Sequence, residues 1–147
     1  MKQKVFLDTN IILDLLVSSR STREVNCILS AVKQNLLEAQ VSVQSLLDAY
    51  YTSEKYGIPF DTFRSFLSEI RRYVNWSTID SLNLDWAMDN FTGDFEDDAQ
   101  YACAYDGCCD YFITRDKLLL RRNTPLCPMT VISPEEFVAR MTEKKDF

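Results

Sequence analysis

The side chains best able to do chemistry in this sequence are aspartates, and several stand where strands are predicted to end. Asp8 closes the run Val5-Phe6-Leu7, and Asp116 follows Phe112-Ile113-Thr114-Arg115. Asp48 falls on the helix predicted after the second strand, and Asp94, Asp97 and Asp98 surround a helix start at Phe95. In a parallel sheet these strand ends and helix starts share one edge, where α/β sheets place their sites. Converging carboxylates repel, which raises the pKa of at least one of them. A hard divalent cation relieves that repulsion. Mg2+ takes oxygen ligands and keeps several waters, so three or four Asp side chains without histidine suit it.

Taken singly, each acid has a plainer use. Asp8 serves to turn the chain after a strand, and Asp94 is well placed as a helix N-cap. Asp97 then sits in a first turn, where the helix dipole stabilises any acid. Asp48 fits the solvent side of a helix whose buried stripe is Leu46, Leu47 and Tyr50. Asp116 fits a loop acid paired with Arg115 or Lys117. Their joint occurrence on one edge favours a metal site.

Composition narrows the alternatives. The chain has 147 residues, no histidine and a formal charge of -6. Without histidine, Ser-His-Asp and Cys-His nucleophilic sites are excluded, as is any histidine general base. The three glycines, Gly57, Gly93 and Gly107, stand alone, so no phosphate-cradling glycine loop exists. Cys27, Cys103, Cys108, Cys109 and Cys127 form no C-x-x-C pair, and their odd number argues against a disulfide framework. Cys27 and Cys103 fall in apolar helical patterns and read as buried thiols. Asp8 and Asp14 interrupt the apolar N-terminal run, and no small-residue cleavage site follows. No stretch approaches the ~20 apolar residues of a membrane span. A cytoplasmic location is the expectation.

The elements that must position the acids follow from periodicity. Residues 4–7 are predicted as a strand, followed by a helix carrying Ile11, Ile12, Leu15 and Leu16. A second helix starts near Thr22, with Val25, Ile28, Leu29, Val32 and Leu36 on one stripe. Residues 40–43 read as a strand, and 45–55 as a helix stopped by Gly57 and Pro59. Residues 61–72 read as a helix with Phe63, Phe66, Leu67 and Ile70 inward, and 73–79 hold a third strand. Helices are predicted over 82–91 and Phe95–Asp106, and strands over 110–113 and Thr130–Ile132. Ser133 then caps a helix opened by Pro134. No repeat or linker divides residues 1–147. The expected fold is α/β, one domain with a short parallel sheet of four to five strands and helices on both faces.

Four ordered pieces resemble one family. Val5-Phe6-Leu7-Asp8-Thr9-Asn10-Ile11-Ile12-Leu13-Asp14-Leu15-Leu16 resembles the opening of a PIN domain. Asp94-Phe95-Glu96-Asp97-Asp98-Ala99-Gln100-Tyr101-Ala102, then Tyr111-Phe112-Ile113-Thr114-Arg115-Asp116, resembles its second half. Ser133-Pro134-Glu135-Glu136-Phe137 resembles an ending found in one bacterial branch. The resemblance implies a Mg2+- or Mn2+-dependent ribonuclease, a VapC-like toxin that leaves a 5′-phosphate. It implies Asp8, Asp97 and Asp116 as catalytic metal ligands, with Asp94 as a further candidate. The family's remaining acidic position normally holds Glu, and this sequence has Asp48, one methylene shorter, as its catalytic counterpart and possible ligand. Thr9, Asn10 and Thr114 match small polar positions that orient the acids, and Asp14 matches a position often acidic in that branch.

Without a histidine base, water activated by the metal is the natural nucleophile, and Asp48 is the acid assigned to orient or deprotonate it. Residues 80–98 hold seven acids and no Lys or Arg, which argues against broad, tight RNA binding. Arg115 and Lys117 are the expected RNA contacts beside Asp116, whereas Arg121 and Arg122 beyond them read rather as an ordinary solvated loop. The expected partners are RNA, a small antitoxin protein and a second copy of the chain, with no membrane. Trp86 and Tyr51 are candidate anchors for the antitoxin, with core packing as their default. Two other readings compete: a PIN-like binding module with little or no activity that acts through protein contacts, and a phosphotransfer or phosphatase domain with Asp8 as nucleophile. The latter lacks a second Asp two residues on, where Asn10 stands.

Overall fold

The computed structural model describes residues 2–121 and 129–143. Cys127 and Arg122 lie outside the described residues. Five parallel strands form one sheet in the order β3-β2-β1-β4-β5. They are β1 (Gln3–Leu7), β2 (Leu37–Ser42), β3 (Val74–Ser77), β4 (Tyr111–Ile113) and β5 (Thr130–Ile132). The helices are α1 (Thr9–Leu16), α2 (Arg23–Lys33), α3 (Val43–Lys55), α4 (Phe60–Ile70), α5 (Ser81–Asp89), α6 (Phe95–Asp106), α7 (Lys117–Leu120) and α8 (Pro134–Glu143). The expected α/β architecture is what forms.

Alternation along β1 divides the core. Val5 and Leu7 face a cluster with Ile12, Val25, Ile28, Phe63 and Phe137, while Phe6 faces Tyr101, Phe112 and Met129 on the other side. All three β1 residues are buried, as a central parallel strand covered on both faces requires. Phe6 stacks on Phe112 of the neighbouring strand, with ring centroids 5.0 Å apart. That contact contributes about 0.5–1.5 kcal/mol beyond the area it buries.

Several predicted boundaries shift. The stripe of α2 does not reach Leu36: the helix ends at Lys33, and Asn35 takes a left-handed φ of 63°. Leu36 is left exposed, and Leu37 starts β2 three residues before the expected 40–43. At the other end Ser42 caps α3, its Oγ accepting from Ser45 N at 3.1 Å. Val43 and Gln44 are therefore helical, because capping geometry overrides the β-preference of Val43. Cys103 is buried as expected, whereas Cys27 is only half-buried. Among the described residues no helix is long and apolar enough to cross a membrane.

Candidate active site

The chain builds the sheet outward from β1 to β3, then returns to lay β4 on the other side of β1. The strand order therefore reverses between β1 and β4, and Asp8 lies at the carboxyl edge of that crevice. Asp8 is 4% exposed. Its Oδ1 accepts from Thr9 N at 2.8 Å, so it caps α1. Its Oδ2 accepts from Thr114 Oγ1 at 2.7 Å and Asn10 Nδ2 at 3.2 Å. Thr114 Oγ1 accepts in turn from Asp116 N at 2.9 Å, and Asn10 Oδ1 from Arg115 N at 3.2 Å. One network thus ties the ends of β1 and β4. Burial pushes the Asp8 carboxyl above its ordinary range and the charge of Asp116 adds to this, while the three hydrogen bonds pull it back.

The first turn of α6 supplies the opposing acids. Asp94 caps the helix, its Oδ1 accepting from Asp97 N at 3.0 Å. Glu96 lies within hydrogen-bonding reach of Asp48 on α3, and that contact, burial and the charges of Asp48, Asp94 and Asp8 push its carboxyl up to about 7. Asp97 is pushed up to about 8 by burial first, then by Asp8, Asp94 and Asp116, with a hydrogen bond to Asp116 adding to the rise. Two carboxyls in contact cannot both ionise cheaply, which helps to hold Glu96 and Asp97 above their ordinary range. Asp98 belongs elsewhere: fully buried, it accepts from Thr92 N at 2.8 Å and Thr92 Oγ1 at 2.6 Å.

The structure thus brings Asp8, Asp48, Asp97 and Asp116 to one edge, with Glu96 among them. Glu96 was missed in the sequence because Asp97 beside it matched the family pattern. Three consecutive acids in the first turn, Glu96, Asp97 and Asp98, with no Lys or Arg from residue 80 to 98, were the available signal. Asp48 also accepts from Gln44 Nε2 at 3.1 Å. Asp14 sits apart, buried and bridged by Arg20 Nε at 3.0 Å and Arg115 Nε at 2.6 Å. The Arg115 guanidinium also donates to Glu135 at 2.6 Å and Thr22 Oγ1 at 3.2 Å. Expected on RNA, it is here committed to tying α1, α2 and α8 to the β4 end. Lys117 and Arg121 are exposed.

The donor set is oxygen only, and among the described residues no Lys or Arg ion pair compensates Asp8, Asp48, Glu96, Asp97 or Asp116. Among the described residues no group of three or more acidic or cysteine side chains stands close enough, as placed, to hold a metal ion. A hard divalent cation fits such a set in kind, because Mg2+ uses one or two carboxylates and retains waters. Soft metals, which prefer thiolate or imidazole, do not.

The PIN domain family profile matches residues 4–118. The chain belongs to the PIN domain family. Among solved structures, this PIN domain protein is similar to a toxin–antitoxin complex from Klebsiella pneumoniae, at 18% identity and a TM-score of 0.61, covering 88% of this chain and 97% of that one. PAE2754 from Pyrobaculum aerophilum matches at 14% identity and a TM-score of 0.62, covering 97% and 98% of the two chains. FitAB bound to an IR36 DNA fragment matches at 15% and 0.57, covering 88% and 94%. At these identities the likeness carries the fold. No curated protein matches the chain at a significant level.

Proposed function

We propose that this PIN domain protein is a divalent-metal-dependent endoribonuclease, the toxin of a toxin–antitoxin pair. The observation that carries the reading is the meeting of Asp8, Asp48, Glu96, Asp97 and Asp116 from separate elements, with Glu96 and Asp97 held at about 7 and 8. Carboxyls packed at a topological switch point, with no Lys or Arg ion pair to them among the described residues, are an arrangement that stability alone does not favour.

Asp8, Asp97 and Asp116 would hold Mg2+ or Mn2+, with Asp48 and Asp94 as further candidates. When bound, such an ion supplies positive charge to the scissile phosphate and lowers the pKa of water. Asp8 is held in orientation by Thr9, Asn10 and Thr114. Asp48 orients the attacking water and serves as its proton acceptor. Lys117, exposed one residue beyond Asp116, takes the backbone phosphate role in which Arg115 was also expected.

The partner reading draws support from an apolar groove of about 320 Å³ lined by Val43, Leu47, Tyr50, Phe60, Phe63 and Trp76, on the helix that carries Asp48. Helices and extended tails dock in such grooves through apolar anchors. Tyr51 stands 66% exposed on that helix, whereas Trp86 packs on Tyr101 with ring centroids 5.8 Å apart. The similar toxin–antitoxin complex from Klebsiella pneumoniae points the same way.

The test incubates purified protein with a panel of structured RNAs and matched single-stranded DNAs, in EDTA, Mg2+ or Mn2+. The expected outcome is RNA cleavage with either metal and none in EDTA, giving 5′-phosphate ends. Equal cutting of DNA would overturn the RNA assignment. Absence of both cleavage and any metal-induced thermal shift would leave a PIN-like binding module.

A further inference from the structure

The three elements that carry Asp8, Asp48 and Asp97 meet at one buried hydroxyl. Ser45 is fully buried. Its Oγ accepts from Gln100 Nε2 at 2.8 Å, and it lies 2.7 Å from Thr9 Oγ1 and 3.1 Å from Ser42 Oγ. A serine hydroxyl has one proton and two lone pairs, so these three partners use it entirely. Thr9 directly follows Asp8, and Ser45 precedes Asp48 by about one helical turn. Gln100 follows Asp97 by about one turn on α6, and Glu96 by four residues.

Gln100 is 1% exposed, and its Oε1 has no hydrogen-bond partner among the described residues. Buried polar atoms are nearly always paired, and a departure calls for a reason other than packing. An apolar residue of similar length would fill the same space without an orphan acceptor. What it could not do is hold Ser45 and, through it, the N-terminal turns of α1 and α3. The free Oε1 is also an acceptor suited to an ordered water.

We propose that Gln100, acting through Ser45, is a positioning residue that fixes the spacing of Asp8, Asp48 and Asp97 at the cation site. It touches no reacting atom. The proposal rests on the metal-dependent reading of the site, and it adds residues outside the carboxylates themselves. Small errors of placement matter in such a site, since about 1 Å can cost on the order of 10²-fold in rate.

The experiment compares wild type with Gln100→Met, Ser45→Ala, their double variant and the milder Thr9→Val. Three quantities are read: the Mn2+ concentration giving half of the maximal thermal shift, the metal-free thermal midpoint, and kcat and KM on a cleaved RNA. In Gln100→Met the expected results are a half-saturation raised about tenfold, kcat lowered about 10–100-fold, and KM within about twofold. The double variant should be no worse than the poorer single one, because both break one network. If Gln100→Met does not fold, Ser45→Ala and Thr9→Val carry the test in the same direction. Folded variants that bind Mn2+ like wild type, or that raise KM at unchanged kcat, overturn the proposal. A wild type that responds to Mn2+ but cuts no RNA sinks the nuclease reading instead, and the Mn2+ titration alone then decides the role of Gln100.

Discussion

Asp97 gives the site a signature in stability against pH that needs no substrate. Its carboxyl is held at about 8 against an ordinary 3.8. Between those values the unfolded chain has released the proton while the folded one keeps it, so stability falls as pH rises. A fully buried, isolated group would lose up to about 1.4 kcal/mol per pH unit in that window. Asp97 is only half-buried, so solvent screening reduces the figure, and the N-terminus of α6 returns about 0.3–1 kcal/mol to the charged form. A net loss of about 2 kcal/mol from pH 5 to pH 8 follows, a fall of about 4–8 °C in Tm for a chain of this length. Glu96, at about 7, acts in the same sense. Glu69 and Glu135 are held below their ordinary range by Lys33 and Arg115, so their stabilisation is already complete above about pH 5. The assay is a thermal-melt series from pH 5 to pH 9 in EDTA. Wild type should lose Tm across the range, Asp97→Asn should lose much less, and Mn2+ should restore wild type at pH 8 as binding displaces protons. Parallel slopes for wild type and Asp97→Asn would refute the reasoning.

Asp48→Glu, which restores the family's usual length at that position, should raise Mn2+-dependent cleavage by up to about 10²-fold, with Asp48→Ala inactive. Equal rates in wild type, Glu and Ala variants would make Asp48 an incidental surface acid. Asp14→Ala, which leaves Arg20 and Arg115 without their buried partner, should cost about 2–3 kcal/mol in urea unfolding. The folded fraction should bind Mn2+ as wild type does, and loss of Mn2+ binding with unchanged stability would move Asp14 into the metal site.

The strands and helices were legible because their signals are local. Val5-Phe6-Leu7 is apolar on both faces, Ser133-Pro134 opens α8, and Asp94 caps α6 as its position in the sequence suggests. The β2 boundary was not, because Leu36 continues the helical spacing of α2 although Asn35 has already left the helix at a positive φ. The acids at Asp8, Asp97 and Asp116 could be placed on one edge from two strand ends and one helix start. Which acid touches which is a tertiary fact: the Glu96–Asp48 contact joins residues 48 apart. Arg115 shows the opposite failure. A basic residue next to a metal-ligand candidate reads as a nucleic-acid contact, and only packing reveals Asp14 and Glu135 around its guanidinium.

The most direct test of a carboxylate-built metal centre is a Mn2+ titration of wild type and Asp8→Asn, followed by thermal shift and by RNA cleavage in the same samples. Asparagine keeps the size of Asp8 and remains a good cap for α1, while one negative charge leaves the cluster. Wild type should be stabilised by Mn2+ in a saturable manner and should cut RNA only when it is bound. Asp8→Asn should melt at or above the wild-type temperature without metal, respond weakly to Mn2+ and cut nothing. An Asp8→Asn protein that unfolds readily yet responds to Mn2+ and cleaves RNA like wild type would make Asp8 a structural cap and contradict the site.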